Sequence, residues 1–560
     1  MDWLQIIVSL MLFMIIVVPL GKYLYKVLSG DKAFGDKFFN KIDNFIYKIC
    51  GIDKDEEMTW KEFLISLLVV NGVMVLIGYL ILRSQSFHIL NPNGIEGMEE
   101  SLSFNTIISF MTNTNLQDYA GESGLSYFSQ MTVIIFMMFT SAATGLAAAA
   151  AFIKALIGKK KTMGSFYVVF IRVITRVLIP FSFIIGLALV SQGVPQTLAG
   201  TKTVTTIEGK MQDIALGPVA SLEAIKHLGT NGGGFFGANS SHPFENPTPI
   251  TNLIELLSMM IIPGALVYAF GLMIKNKKQG WSIFAAMAII FVIGLGICYT
   301  SEKAGNPILE HTGLSQSMGN MEGKEVRFGV PQSALFTAVT TSFTTGTVNN
   351  MHDSLTPLGG GVALMNMMLN VVFGGEGVGL MNMIMYAILT VFLCGLMVGR
   401  TPEFLGKKIE GKEIKLISLA IILHPFLILM FSALAVSVPQ GIAGISNSGF
   451  HGLSQVLYQF TSSAANNGSG FEGLVDNTMF WNTTAGIVMF LGRYLSMIIL
   501  IAVAGSLAAK KPVSASSGTF RTDNVTFTIT LVFIVLIIGA LTFLPALALG
   551  PIAEHLTLWH

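Results

Sequence analysis

The sequence predicts an all-α polytopic membrane protein with ten transmembrane helices. Hydrophobic residues make up 52% of the 560-residue chain and charged residues only 12%, a composition that soluble globular proteins do not show. Ten apolar runs each reach the roughly 20 residues that a bilayer core requires. A short polar segment recurs four times between these runs. We therefore expect four tandem units of span, pore helix, polar loop and span in a pseudo-fourfold arrangement, with one extra span at each end.

The first extra span, residues 3–20, belongs to an N-terminal segment of residues 1–62. Asp2 precedes the apolar run and Lys22 follows it, which reverses the charge order of a secretory signal and predicts a retained span with its N-terminus outside. Apolar residues then recur at helical spacing: Phe34, Phe38, Ile42, Phe45, Ile46 and Ile49. This periodicity predicts an amphipathic helix that either lies on the inner membrane surface or packs on a partner as a soluble helix.

Four tandem units and a last span account for the rest of the chain. The units are predicted at residues 63–153, 165–275, 280–399 and 413–509, and the last span with an extracellular tail at residues 524–560. The spans within them are predicted at 63–82, 127–152, 166–190, 252–274, 281–299, 362–398, 414–438, 480–508 and 525–549. Between the two spans of each unit lies an apolar stretch too short to cross a bilayer. These stretches are predicted to be pore helices, over residues 102–111, 219–228, 333–343 and 453–463.

Each pore helix is followed by a short loop rich in Thr, Asn and Gly. The predicted filter residues are Thr112, Asn113, Thr114, Thr230, Asn231, Gly232, Thr344, Thr345, Gly346, Asn466, Asn467 and Gly468. A monovalent cation that leaves water needs carbonyl and hydroxyl oxygens in place of its hydration shell. Thr and Asn side chains and Gly carbonyls meet that need, and the negative end of each pore helix would face the ion. The fourfold recurrence predicts one selectivity filter built by all four units.

Acidic residues follow the polar loops and predict a filter mouth that attracts cations. Unit 1 contributes Asp118 and Glu122. The other units contribute Glu245, Asp353, Glu472 and Asp476. Negative potential at a pore entrance raises the local cation concentration, so we expect these acids to favour cation entry.

Two features inside the membrane predict an ion path beyond the filter. The second span of unit 3 is interrupted by Gly374, Gly375 and Glu376 with further glycines. Irregular backbone at membrane depth is tolerated only beside protein or water, so this segment predicts a gate or part of the ion path, with a structural kink as the alternative. Arg493 lies inside the last span of unit 4. It either pairs with Glu376 or stands below the filter as a positive barrier to cations.

The distribution of basic residues predicts the orientation in the membrane. Of the 33 Lys and Arg residues, 25 lie in the connections opposite the polar loops, and only seven lie on the side of the polar loops. Basic connections favour the cytoplasmic side. We therefore expect the polar loops and both termini to lie outside the cell.

At its polar loops the sequence resembles a known family, the potassium-binding subunits of the potassium-transporting ATPase called the Kdp complex, within the superfamily of potassium transporters. The similarity covers essentially the whole chain. It is most specific at four motifs: Thr112-Asn-Thr-Asn with Gln117, Gly229-Thr-Asn-Gly-Gly-Gly-Phe-Phe-Gly, Thr344-Thr-Gly-Thr-Val-Asn-Asn and Ser463-Ala-Ala-Asn-Asn-Gly-Ser-Gly. The family pattern of one filter glycine per unit corresponds to Gly232, Gly346 and Gly468, whereas the first unit has no glycine in its core.

The resemblance implies a channel-like subunit of a bacterial inner membrane that selects K+ and passes it to a P-type ATPase subunit. It further implies two kinds of partner besides the ATPase: an accessory subunit with a small domain, and sometimes a tiny single-span subunit. Gln117 would lie at the filter mouth, residues 374–376 would form a gating loop, and Arg493 would divert the ion sideways. Potassium would be the transported ion, with ATP hydrolysed by a partner chain.

Other function classes find less support in the sequence. It has no GxxxxGK[ST] loop and no Asp-Lys-Thr-Gly phosphorylation motif, so we expect no catalytic residue and no bound nucleotide in this chain. We expect no nucleic-acid partner. An intramembrane enzyme would need a nucleophile with a base, or a metal cluster, within the spans. A stand-alone potassium or sodium transporter of the Trk, Ktr or HKT type is the alternative, although those proteins usually lack the extra first and last spans.

Overall fold

The computed structural model describes residues 2–158, 161–399, 401–513 and 519–558. Within these residues, ten helices are long and apolar enough to cross a membrane. They run over Asp2–Ser29, Trp60–Arg83, Tyr127–Ile157, Phe166–Ser191, Pro249–Met273, Lys277–Ala304, Val378–Val398, Gly411–Ser437, Met479–Ala508 and Val525–Leu547. The predicted all-α architecture with ten spans is confirmed.

A shorter helix lies between the two spans of each unit. These four pore helices run over Glu100–Met111, Val219–Leu228, Gly329–Ser342 and Gly449–Ala465. The second coincides with the prediction, and the others begin two to four residues earlier. Their first turns contain Glu, Ser, Gly or Gln residues that do not look apolar in sequence. All four are buried along most of their length, because each is enclosed by the spans of its own and neighbouring units.

The second membrane segment of each unit begins at a hydroxyl side chain. Ser126, Thr248, Thr356 and Thr478 each accept a hydrogen bond from a backbone N–H in the first turn of the following helix. Such a cap satisfies one of the N–H groups left unpaired at a helix start and contributes about 1 kcal/mol. Because the same cap occurs at the same place in all four units, the units resemble one another down to individual residues.

The two extra spans lie against the middle units. The first span packs along Pro249–Met273, and the last contacts Lys277–Ala304 and Val378–Val398. Gly264 permits the first contact, because a Cβ there would lie 2.5 Å from the Phe13 ring. Smaller elements include the helices Asp36–Cys50, Gln85–Phe87, Gly121–Gly124, Asn239–Ser241, Pro307–His311, Pro357–Leu369 and Pro439–Ile442, and the hairpins Lys202–Thr205 with Met211–Ile214 and Glu403–Phe404 with Lys407–Lys408.

Candidate functional site

The four polar loops begin with the same backbone turn. A left-handed residue, with φ between +48 and +61°, ends each pore helix: Asn113, Thr230, Thr344 and Asn466. The N–H of the next residue donates a bond of 2.8–2.9 Å to the carbonyl five residues earlier in every unit. Residues other than glycine cost about 1–3 kcal/mol each in such a conformation and persist only where their surroundings hold them. The fourfold repetition therefore indicates a site that the whole structure maintains.

This geometry sets the register between the units. The residue after each left-handed position is Thr114, Asn231, Thr345 or Asn467, and the position after that is Asn115, Gly232, Gly346 or Gly468. In unit 1, Asn115 thus occupies the place of the three filter glycines, a role that the sequence pattern did not assign to it. Thr112, which we predicted as a filter residue, lies one position before the loop. Its Oγ1 is 2.8 Å from the Ile108 carbonyl oxygen, so it bonds to its own helix.

The four loops meet in a closed ring. A Cβ on Gly232 would lie 3.0 Å from the Thr114 carbonyl oxygen of unit 1 and 3.3 Å from the Gly346 carbonyl carbon of unit 3. A Cβ on Gly346 would lie 2.1 Å from the Asn467 carbonyl oxygen of unit 4. One on Gly468 would lie 1.9 Å from the Thr114 carbonyl oxygen. Backbone therefore approaches backbone at all four junctions, and only hydrogen fits as the side chain of Gly346 and Gly468.

Asparagine side chains tie neighbouring units together around this ring. Asn113 Nδ2 donates to the Thr230 carbonyl of unit 2 at 2.9 Å. Asn466 Nδ2 donates to Thr114 Oγ1 of unit 1 at 2.9 Å, and Asn467 Nδ2 to a pore-helix carbonyl of unit 3 at 2.8 Å. The N–H groups of these side chains are therefore already hydrogen-bonded to neighbouring units. We infer that backbone carbonyls are the main oxygens that the ring can offer to an ion.

A buried charge network lies behind the unit 2 loop. Lys226 Nζ is 2.7 Å from Glu223 Oε2 and 2.8 Å from Glu245 Oε2, and all three side chains are fully buried. Glu223, His227 and Glu255 bring possible metal ligands within 4.8 Å of one another, but the Lys226 ammonium already supplies a positive charge there. Glu245 also accepts a backbone N–H of the loop after the filter at 2.7 Å. The network thus holds the unit 2 polar loop in place. The sequence gave no signal of this network, because its members are widely spaced along the chain.

A cavity of about 450 Å³ opens on one side of the ring, among the loops that follow it in the chain. Its lining includes Gln117 and the acids Glu472 and Asp476. Gln117 also joins units 1 and 2, because its amide accepts the N–H of Gly234 at 2.7 Å and donates to the carbonyl of Gly234 at 3.1 Å. This vestibule therefore places acidic side chains next to the ring, together with Lys324, and its role as a cation entrance stays a prediction.

The two acids predicted at the mouth in unit 1 do not line this vestibule. Glu122 Oε2 accepts the Gly237 N–H at 2.9 Å and so fixes a neighbouring loop. Asp118 is buried, and burial together with the nearby Asp476 carboxyl raises the pKa of Asp118 well above its usual value. Burial also raises the pKa of Asp476 to about 6. As pH falls through 6, Asp476 is therefore expected to become neutral and the vestibule to lose negative charge.

The predicted interruption in unit 3 lies directly against the ring of polar loops. The helix Pro357–Leu369 ends before it, and Val378–Val398 continues after an irregular segment. The N–H groups of Gly374 and Gly375 donate to carbonyls at the end of the unit 3 pore helix, at 3.1 and 2.7 Å. A Cβ on Gly375 would lie 3.5 Å from Thr230 Oγ1 of unit 2. The segment therefore covers the ring on the side opposite the vestibule.

Arg493 reaches the same region from unit 4. It lies in a π-helical turn, Leu491–Leu495, and is 6% exposed. A Cβ on Gly145 would lie 2.9 Å from Arg493 Nη2 and 2.2 Å from the Glu376 carbonyl oxygen, so both groups approach one point on a unit 1 span. Neither carboxylate oxygen of Glu376 has a hydrogen-bond partner among the described residues. The two side chains therefore do not form the hydrogen-bonded pair that was one of the two expectations.

Comparison with known proteins assigns this chain to a family. The family model described as the potassium-transporting ATPase A subunit matches residues 7–556. The chain belongs to this family. It is 66% identical over 558 residues to the potassium-transporting ATPase potassium-binding subunit of Clostridium acetobutylicum, with 100% of both chains covered. Subunits of the same name from Geobacillus kaustophilus and Caldanaerobacter subterraneus subsp. tengcongensis are 59% and 56% identical, with 98% and 96% of both chains covered.

A solved structure shares the fold at lower similarity. The crystal structure of the potassium transporter TrkH from Vibrio parahaemolyticus aligns with a TM-score of 0.55, over 89% of this chain and 97% of that chain. The sequence identity is 15%, so this comparison concerns the fold alone. The family match confirms the resemblance seen at the four polar loops, and the TrkH alignment agrees with the predicted arrangement of spans and pore helices.

Proposed function

We propose that this chain is the potassium-binding, channel-like subunit of an ATP-driven, high-affinity potassium uptake complex. The observation that carries the proposal is the closed ring of four loops, in which backbone from all four units converges. Carbonyl oxygens in such a ring can replace the hydration shell of a monovalent cation. The names of the relatives, which describe potassium-binding subunits of an ATPase, support potassium as the cargo.

A partner chain would supply the energy for transport. The sequence has neither a phosphate-binding loop nor an Asp-Lys-Thr-Gly phosphorylation motif, so ATP hydrolysis falls to a P-type ATPase subunit. The proposed complex is completed by a small-domain accessory subunit, and in some complexes also by a tiny single-span subunit. In this division of work the present chain selects the ion and the ATPase subunit drives its uptake.

Beyond the ring, the proposed ion path turns sideways. Residues 374–376 and Arg493 occupy the region directly behind the ring. A cavity of about 40 Å³ lies beside them and is lined by Asn370, Asn466 and residues of the last span, including Gly539. This volume exceeds the roughly 10–15 Å³ that one water molecule needs. The cavity supports a lateral exit toward the last span, where the ATPase subunit would receive the ion.

The proposed location is a bacterial inner membrane, with the polar loops and both termini outside. Impermeant thiol reagents test this orientation in a chain freed of its own cysteines. A cysteine at Asn477, exposed next to the vestibule, is expected to react in intact cells, whereas one at the exposed Lys408 is expected to react only after permeabilisation. Lys160, another basic position on the Lys408 side, lies outside the described residues. Labelling of the Lys408 position in intact cells would overturn the orientation.

Complementation tests the proposed function as a whole. In a strain that lacks potassium uptake, the complete operon is expected to restore growth at limiting potassium, and this chain alone is not. The purified chain in liposomes is expected to build no potassium gradient, because it lacks the means to use ATP. Sustained accumulation by the isolated chain without ATP would instead support a stand-alone transporter of the Trk, Ktr or HKT type.

A further inference from the structure

We propose that the helix Asp36–Cys50 lies in the headgroup region of an anionic lipid leaflet, with its apolar face toward the acyl chains. The occupant of that face would be the bilayer of the leaflet on which the basic connections lie. This inference concerns a surface far from the filter and does not depend on the proposed function.

The protein covers the side of this helix that carries its acidic residues. Asp43 and Tyr47 are buried, and Arg176 holds the helix in place. Arg176 Nε donates to Asp36 Oδ1 at 2.9 Å and Nη2 donates to Asn40 Oδ1 at 2.6 Å, while Nη1 contacts Asp43. Since these contacts span two helical turns on one side, they fix the rotation of the helix about its axis.

The apolar face consequently points away from the protein. Phe38, Phe45 and Ile49, which follow one another at helical spacing, are 64%, 65% and 68% exposed. A helix packed on a soluble surface buries its apolar stripe and exposes its polar one. Here the arrangement is reversed, which is expected where the surroundings of the free face are themselves apolar.

The helix also lies beside the basic ends of two spans. Its anchor Arg176 belongs to the span Phe166–Ser191, where Arg172 lies one turn earlier and the apolar part of the span follows Arg176. Tyr23, near the end of the first span, donates its hydroxyl to the Arg176 carbonyl at 2.9 Å. Two spans therefore flank the anchor, and the free face of the helix continues their lipid-facing surface.

Charge favours an anionic lipid over other occupants. Lys37, Lys41 and Lys48 are exposed and lie along one flank of the apolar stripe. Lysines beside an apolar face place their ammonium groups at the level of lipid phosphates, and each contributes to attraction toward anionic headgroups. Large aromatic side chains in the same face are typical of helices that lie in the interface.

Spin labels at two neighbouring positions test where this face lies. The full chain, purified with the partners that its operon encodes and with its own cysteines replaced, is reconstituted in vesicles of phosphatidylglycerol and phosphatidylcholine. A label at Phe45→Cys is expected to be relaxed by oxygen and protected from a water-soluble nickel chelate. The matched label at Asn44→Cys, on the exposed polar side, is expected to show the opposite. Accessibility of the Phe45 position to the chelate, or to neither reagent, would overturn the proposal in favour of water or a covering protein.

The lipid charge is tested separately with the lysines. In vesicles of phosphatidylcholine alone, the oxygen-to-nickel accessibility ratio of the Phe45 label is expected to fall. The triple variant Lys37→Gln, Lys41→Gln, Lys48→Gln is expected to lose this dependence on anionic lipid. The variant Lys202→Gln, Lys210→Gln, on the exposed hairpin at the other side of the protein, is expected to retain it. An unchanged dependence in the triple variant would overturn the assignment to anionic headgroups.

Discussion

Replacing Gly468 with Ala is expected to lower the apparent potassium affinity of the assembled complex by about 100-fold, which corresponds to about 2.7 kcal/mol. Gly468 has φ +109°, and a Cβ there would lie 1.9 Å from the Thr114 carbonyl oxygen. The methyl group would force apart the junction of units 4 and 1 and displace a carbonyl of the ring. Discrimination against rubidium and ammonium should loosen as well. Potassium-dependent uptake, measured with each competing ion, gives both quantities.

Matched glycine variants show whether the effect belongs to the ring. Gly346→Ala, where a Cβ would lie 2.1 Å from a unit 4 carbonyl, is expected to behave like Gly468→Ala. Gly232→Asp adds a charge as well as a side chain and should also lower affinity and selectivity. Gly470→Ala, two residues beyond Gly468 and with open space around it, should leave both unchanged. Wild-type affinity and selectivity in the three ring variants would show that the polar loops are not the filter.

Replacing Arg493 with Met is expected to uncouple ATP hydrolysis from potassium uptake. The buried guanidinium lies beside the Glu376 backbone behind the ring, where a positive charge raises the energy of a cation in direct passage. Without that charge, ions would have a second route past the ring. We therefore expect the number of potassium ions transported per ATP to fall at least about tenfold, and a tenfold change corresponds to about 1.4 kcal/mol in free energy. Parallel measurements of ATPase activity and uptake in proteoliposomes give the ratio.

Two further variants separate the charge from a general loss of folding. Arg493→Lys keeps a positive charge and should retain part of the coupling. Arg83→Met removes a half-buried arginine that pairs with the exposed Glu100 and donates to the Met98 carbonyl, and this variant should couple normally. The idea of a barrier fails if Arg493→Met transports as many ions per ATP as the wild type while its thermal unfolding is unchanged.

The spans and pore helices could be predicted from the sequence because the bilayer imposes one local rule. Backbone groups inside hydrocarbon must be satisfied within the segment, so long apolar runs become helices. The break in unit 3 followed from the same rule, since the run Gly374-Gly375-Glu376-Gly377 cannot continue a helix at low cost. The four loops were visible as repeats of Thr, Asn and Gly, which indicated a filter before any contact was known.

The register of the ring depended on three-dimensional contacts. The sequence pattern favoured Thr112 in unit 1, but the left-handed residue and the bond to the carbonyl five residues earlier place Asn115 in line with the filter glycines. Lys226, Glu245 and Glu255 also meet only in the fold, because they come from a pore helix, a loop and a span. Asp118 looked like a mouth residue by position, yet neighbouring loops bury it.

For the helix Asp36–Cys50 as well, the sequence predicted one property and the tertiary structure decided another. The sequence by itself determined its apolar stripe, because the spacing of Phe38, Phe45 and Ile49 follows the helical period. It left open whether the stripe faces lipid or a protein partner. The tertiary structure decided which side the protein covers, because Arg176, more than a hundred residues later in the chain, binds the acidic side and fixes the rotation. Periodicity is a local property of a helix, whereas the surroundings of each face are set by residues distant in sequence.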